Sequence, residues 1–355
     1  MKERVGRRSH SRPSRAEGPG KTQRVLMCWW GLRRRGSSHG ITVAVALVTL
    51  GLALLIVGAR WLVDGAAGLA RRVGITPFVI AATVVGFGTS APELAVSVSA
   101  SAGGQPDLAV GNALGSNVFN LAVILGVAAL VRPLRVSRAM LGREGLFLLA
   151  SFLIFAALSA DGVVDAADGV LMLVFMTGFT WISVQSGRRD NLSGRDGFAS
   201  VARADVGGPK PRRIAFGVLA GLALLIGGSQ ALVAGAVDLA VGLGISARVI
   251  ALTIVAAGTS LPELATSVAA AARRQEDIAV GNIVGSNVFN LLAILGVSAI
   301  VAPLPLSPSG SSDLAVMAIV TLAFLGLAWN RLTLSRAEGA VLLAGYVTYV
   351  VWLLL

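Results

Sequence analysis

Gly88-Thr89-Ser90-Ala91-Pro92-Glu93-Leu94 returns 170 residues further on as Gly258-Thr259-Ser260-Leu261-Pro262-Glu263-Leu264. The echo extends outward. Asp107-Leu108-Ala109-Val110-Gly111-Asn112 returns as Asp277-Ile278-Ala279-Val280-Gly281-Asn282, and Gly115-Ser116-Asn117-Val118-Phe119-Asn120-Leu121 returns unchanged from Gly285 to Leu291. One offset held without gaps across two adjoining segments points to duplication of a whole unit.

The surroundings of these motifs say where they lie. Of 355 residues, 55% are hydrophobic and 14% charged, against roughly 25% charged in soluble domains. Apolar runs recur from Ile41 to the last residue, and runs of about 20 residues match a hydrocarbon core about 30 Å thick. The chain therefore reads as an all-α integral membrane protein.

Ten spans are expected, at about 41–63, 76–101, 108–131, 143–160, 165–185, 214–241, 246–271, 278–301, 312–329 and 336–355. They divide as a basic tail (1–40), a first five-helix repeat (41–185), a polar loop (186–213) and a second five-helix repeat (214–355). The tail, rich in Arg, Gly and Ser, is expected to be disordered. Five is odd, so the second repeat enters the membrane with the opposite orientation. Inverted repeats are a recurrent transporter architecture, with the substrate site near the midplane where the halves meet.

The net charge of +12 is uneven, because eleven of the thirty Lys and Arg precede residue 41. The rest sit in short loops rather than on one globular face, which argues against nucleic-acid binding. One set of loops carries Arg71, Arg72, Arg132, Arg135, Arg138, Arg143, the central segment with Arg188 to Arg213, Arg273, Arg274, Arg331 and Arg336. The other set has Arg248 beside Asp161, Asp165, Asp168 and Asp313. The basic side is expected to be cytoplasmic, which puts both termini outside, in the cell membrane. The basic tail conflicts with that orientation, and a translation start downstream of it would remove the conflict.

Glu93 and Glu263 are the carboxylates read as lying deep within spans. Such residues face a bundle interior or an aqueous cavity and mark ion pathways. The bland reading is a protonated glutamate or one paired with Arg60, which itself has Asp64 one turn away. Thr89, Glu93 and Ser97 stand at i, i+4 and i+8, as do Thr259, Glu263 and Ser267, giving two polar stripes. Asn112, Ser116 and Asn120, with Asn282, Ser286 and Asn290, give two more. Hydroxyls and amides in spans also serve as interhelical glue, and for Asn112 and Asn282 the two readings stay level. Pro92 and Pro262 each break the bond to the carbonyl four residues earlier, exposing oxygens near 86–88 and 256–258. Gly111 with Gly115, and Gly281 with Gly285, would let the motif helices pack closely.

An all-oxygen set suits a hard cation such as Ca²⁺ or Na⁺. Cys28 is the one cysteine and both histidines lie in the tail, so sulfur and imidazole are missing from the spans and soft metals are disfavoured. No cofactor is expected.

At these motifs the chain resembles the calcium/cation antiporter superfamily, and within it the prokaryotic sodium/calcium exchangers. The resemblance covers nearly everything after residue 40. It implies ten transmembrane helices with both termini outside. It implies ligands at Thr89, Ser90, Glu93, Ser116 and Asn120, at Thr259, Ser260, Glu263, Ser286 and Asn290, and at the backbone carbonyls of Gly86 and Ala256. Spans one and six, around Gly51–Gly65 and Gly221–Gly235, would be sliding gate helices. Some relatives carry Asp where this chain has Asn290, which leaves two carboxylates at the centre.

The expected function is antiport of Ca²⁺ against Na⁺ by alternating access, with no enzymatic activity. Ca²⁺/H⁺ and K⁺-dependent Na⁺/Ca²⁺ exchange are the alternatives, with a channel or a scaffold behind them. The expected partners are the lipid bilayer and the two ions. The sequence does not fix the oligomeric state, for which a monomer suffices.

Overall fold

The computed structural model describes residues 39–193, 210–243 and 256–354. The expectations for the tail before residue 39, for most of the central loop and for the first part of the seventh span lie outside the described residues. We number the helices α1 (His39–Val73), α2 (Pro77–Thr89), α3 (Ala91–Ala102), α4 (Pro106–Val131), α5 (Arg138–Leu158) and α6 (Ala166–Ser193). The second half holds α7 (Pro211–Gly242), α8 (Ala256–Thr259), α9 (Leu261–Ala272), α10 (Glu276–Val301), α11 (Pro308–Arg331) and α12 (Arg336–Leu354).

Among the described residues, seven helices (α1, α4, α5, α6, α7, α10 and α11) are long and apolar enough to cross a membrane. The pair α2 and α3, bent by 48° at Ser90, passes the same test together and brings the number to eight when counted as one span. Several boundaries differ from those read in the sequence. The fourth and ninth spans are full-length helices, because Ser137 and Ser307 cap them further upstream. Ser137 Oγ accepts the Met140 N–H at 3.1 Å, and Ser307 Oγ accepts that of Gly310 at 3.3 Å. α1 runs to Val73 and α6 to Ser193, since charged residues do not stop a helix once it leaves the apolar layer. At 35 residues α1 is about 52 Å long, well beyond the hydrocarbon thickness.

The two longest helices, α1 and α7, pack antiparallel along a seam of glycines seven residues apart. A Cβ at Gly51 would come within 2.6 Å of Leu232 N, at Gly58 within 2.9 Å of the Gly221 carbonyl, and at Gly235 within 2.5 Å of the Ala44 carbonyl. Backbone meets backbone here, as small residues permit in membrane helices. Elsewhere α10 crosses α2 at Gly281 and Gly285, where a methyl would overlap the carbonyls of Phe78 and Ala82. The close approach expected of that pair is thus present. The stretch that would face Gly111 and Gly115 by the same offset lies outside the described residues.

Two-residue strands tie the loops together: Leu134–Arg135 pairs with Thr333–Leu334, and Val163–Val164 with Leu304–Pro305. The 170-residue offset carries one pair onto the other. Each half thus contributes one strand to each pairing. The buried core lies between the motif helices. Leu114, Leu121, Ile124 and Leu125 of α4, and Ile283, Leu291, Ile294 and Leu295 of α10, have no exposed surface. Large apolar residues on α1, α5, α6 and α7, such as Trp61, Leu146, Trp181 and Leu219, face outward. A helix bundle in lipid turns out in this way, since tails solvate apolar surface.

Candidate ion site between the two halves

The site begins with two broken helices. Ser90 and Ser260 are each the hinge residue, with φ/ψ near −81°/10° and −87°/8°. Pro92 and Pro262, in the first turn of α3 and α9, supply no N–H to the preceding turn. The break puts Glu93 and Glu263 in the first turn of a new helix. There unpaired N–H groups and the helix dipole favour a negative side chain. On the other side of the break, the Gly86 carbonyl accepts from Ser90 N at 3.1 Å, Thr89 Oγ1 at 3.3 Å and Ser286 Oγ at 3.3 Å.

The halves then interlock. Ser90 Oγ donates to Glu263 Oε1 at 2.8 Å, and Ser260 Oγ donates to Glu93 Oε1 at 2.9 Å. Each glutamate is held by the serine three residues before the other, so the two carboxylates meet across the interface of the halves. Thr89 and Ser286 flank Glu263, and Thr259 flanks Glu93. Thr89, Ser90, Glu93, Asn120, Ser260, Glu263, Ser286 and Asn290 have no exposed surface, while Thr259 shows 2% and Ser116 5%.

Asn120 and Asn290 each open a five-residue π-type turn, Asn120–Ile124 and Asn290–Ile294. Such turns recur at functional sites because they re-aim a side chain and loosen the backbone ladder. Asn120 Nδ2 donates to Asn287 Oδ1 at 3.0 Å, and Asn290 Nδ2 donates to Asn117 Oδ1 at 3.0 Å. Glu93 Oε2, Glu263 Oε2, Asn120 Oδ1 and Asn290 Oδ1 are buried and accept no hydrogen bond. Unsatisfied acceptors in apolar surroundings are costly. Here they come as two equivalent pairs of oxygens, the composition a hard cation completes.

Three readings from sequence need correction. The stripes through Ser97 and Ser267 do not extend the site. The Asn112 amide binds Ser97 Oγ at 3.0 Å and the Glu93 carbonyl at 3.2 Å, and Asn282 binds Ser267 Oγ and the Glu263 carbonyl at 3.0 and 3.3 Å. Glu93 and Ser97 share one face of α3, as Glu263 and Ser267 share one of α9, and a turn beyond each glutamate that face packs on α4 and α10. Asp64 pairs with Arg273 at 2.6 Å rather than with Arg60. Glu144 is a third buried carboxylate, 1% exposed, missed because it stood at the edge of a span drawn too short. Arg143 Nε donates to it at 2.8 Å and Ser183 Oγ at 3.2 Å, while Arg143 Nη1 also reaches Asp190 at 2.7 Å. It is a satisfied structural ion pair. Asn117 and Asn287 were also missed as parts of the site, though their place in the repeated Gly-Ser-Asn-Val-Phe-Asn motif was visible.

A bundle of broken and glycine-packed membrane helices enclosing an oxygen-only site defines a cation transporter. Known proteins agree. A family model described as sodium/calcium exchanger protein matches residues 43–185 and again 213–355. The inner membrane protein YrbG of Escherichia coli is 38% identical over 314 residues, spanning 88% of this chain and 96% of YrbG. The sodium/calcium exchanger MaX1 of Methanosarcina acetivorans is 32% identical over 347 residues, spanning 88% and 98%. A structure of the sodium-calcium exchanger NCX_Mj superposes with a TM-score of 0.77 at 31% identity, covering 88% of this chain and 99% of that one. The chain belongs to the sodium/calcium exchanger family. It is a membrane cation/Ca²⁺ antiporter, a transporter and not an enzyme.

Proposed function

We propose that this chain exchanges Ca²⁺ for Na⁺ by alternating access through ten transmembrane helices arranged as two inverted repeats, residues 41–185 and 214–355. The observation that carries the reading is the set of four buried, unpartnered oxygens on Glu93, Glu263, Asn120 and Asn290. Two glutamates balance one Ca²⁺ in formal charge, and Na⁺ accepts the same oxygen types. Thr89, Ser90, Ser116, Thr259, Ser260, Ser286 and the carbonyls of Gly86 and Ala256 complete overlapping sites for the two ions. The exchange of partners under the 170-residue offset supports the two-fold relation of the halves. The bent α2–α3 span, its partly described counterpart ending in α8 and α9, and α12 bring the count to ten.

An empty pocket with two bare carboxylates resists closure in apolar surroundings, whereas an occupied one does not. That difference couples inward movement of one ion to outward movement of the other. α1 and α7 touch the site's walls. Leu222 of α7 lies against Gly88, and Ser229 Oγ donates to the Gly258 carbonyl at 2.5 Å. The glycine seam lets these two helices slide without unlocking side chains, which suits them as gates. The basic loops face the cytoplasm and both termini lie outside, in the cell membrane, where the relative YrbG is named an inner membrane protein.

The test is Ca²⁺ flux into proteoliposomes with Na⁺, H⁺ and K⁺ gradients imposed one at a time. A Na⁺ gradient alone is expected to drive uptake. Uptake driven by a pH gradient with no response to Na⁺ overturns Na⁺ coupling and makes Glu93 and Glu263 proton carriers.

A further inference from the structure

We propose that Asn117 is a positioning residue that holds Asn290 with its oxygen toward the transported cation and thereby requires a neutral side chain at position 290. This rests on the cation-exchange reading of the site. An amide has one accepting end and one donating end, and only the oxygen attracts a cation. Which end faces the ion is therefore decided by what binds the other end.

Asn117 is fully buried and its amide is anchored at both ends. Its Nδ2 donates to the Asn287 backbone carbonyl at 3.1 Å and faces Met317 Sδ at 3.8 Å. That leaves Oδ1 to face position 290, where it accepts Asn290 Nδ2 at 3.0 Å. Asn290 must then turn Oδ1 the other way, and that oxygen is the one left without a partner. A backbone carbonyl has no second tautomer or rotamer to offer, so the order carbonyl, amide, amide, cation runs in one direction only. An ionised carboxylate at 290 would set an oxygen against Asn117 Oδ1. The asparagine at 290 is thus demanded by its neighbour, and the site keeps the charge of two carboxylates.

The mirror arrangement is weaker. Asn287 Oδ1 accepts Asn120 Nδ2 at 3.0 Å, but Asn287 Nδ2 has no partner. The residue that stands where Met317 does, 170 positions earlier, is Phe147, with no lone pair to offer. The support of Asn120 is therefore anchored at one end and the support of Asn290 at both.

The full-length protein in proteoliposomes tests this by the Ca²⁺ concentration at half-maximal flux, with the Ca²⁺-induced rise in unfolding temperature measured in detergent. Asn117→Leu keeps the volume and removes the acceptor. It is expected to raise half-saturation about tenfold, the loss of one oriented ligand hydrogen-bonded to its support, with the maximal rate less affected. Asn117→Asp in its protonated form still offers an oxygen to Asn290 while its hydroxyl donates to the Asn287 carbonyl, and recovers most of the loss. Asn287→Leu raises half-saturation about threefold, less than Asn117→Leu, since its own anchor is one-sided. Asn290→Asp loses Ca²⁺ affinity, and Asn117→Ser added to it restores part, because a hydroxyl can donate to the new carboxylate. That last pair stands even if Asn117→Leu fails to fold. Wild-type half-saturation in Asn117→Leu, equal damage in Asn117→Asp, or Asn290→Asp binding as well alone as with Asn117→Ser overturns the proposal. A wild-type protein with no Ca²⁺-induced stabilisation sinks the ion site itself, whereas a normal shift in both wild type and Asn117→Leu sinks this proposal alone.

Discussion

The two halves agree at the centre and differ around it. Ser90 holds Glu263 as Ser260 holds Glu93, within 0.1 Å. One turn outward the match fails. Phe87 stacks on Phe289 with ring centroids 4.6 Å apart, but its counterpart is Ala257, and Phe119 instead meets Tyr346 edge-on at 5.6 Å. Arg273 ties α1 to the end of α9 through Asp64, while Gly103 and Ala234 occupy the equivalent places. Arg274 and Leu332 adopt left-handed φ of 61° and 51° where the first half has Gly104 and Gly162. Like chemistry stands where the two halves meet at the paired glutamates. Where each half faces a different surrounding, the residues have parted.

The comparison breaks most severely at the carboxylates. Glu93→Gln and Glu263→Gln are each expected to abolish Na⁺-driven ⁴⁵Ca²⁺ uptake, because half the countercharge goes; residual exchange in one of them would show the halves to be unequal at the core. Next comes packing. Gly285→Ala drives a methyl into the Ala82 carbonyl and should destabilise by about 2–3 kcal/mol, read as a lower unfolding temperature in detergent. Gly326→Ala, with open space around it among the described residues, should stay within about 0.5 kcal/mol.

Ser90→Ala and Ser260→Ala each leave a buried carboxylate oxygen without its donor. About 1.4 kcal/mol, or tenfold in half-saturating Ca²⁺, is expected from each, and equal losses would sharpen the symmetry. Arg274→Gly restores the residue the first half uses and should stabilise by about 1 kcal/mol. A small effect also belongs to Arg273→Ala. Its ion pair is 38% and 57% exposed, worth at most about 1 kcal/mol. Its loss should appear as a modest shift in exchange rate and little in stability.

Much of this was legible beforehand. The duplicated Gly-Thr-Ser-x-Pro-Glu stretch located both glutamates with the Thr and Ser beside them, and helical spacing put Ser116 with Asn120, and Ser286 with Asn290, on one stripe each. Glu144 was not legible, since a span boundary drawn at residue 143 put it among loop charges, and the Ser183 and Asp190 that complete its pair with Arg143 lie some forty residues away. Ser97 and Ser267 do share a helix face with Glu93 and Glu263, but one turn beyond each glutamate that face is taken up by Asn112 and Asn282, a pairing between helices that spacing along one helix does not reveal. Asp64 was paired with the nearest arginine in sequence, whereas Arg273 is the one that folding delivers.

By itself the sequence determined that the chain crosses the membrane, that it is a duplication, and that an intramembrane carboxylate and a broken helix recur in each copy. Those are local properties: hydropathy, spacing and the missing N–H of proline act within a few residues. Only the tertiary structure decided that each glutamate is held by the other half's serine, and that Asn117 faces Asn290. Pairings across 170 residues depend on which backbones can approach, and the glycines of α1, α7 and α10 settle that by what they leave out.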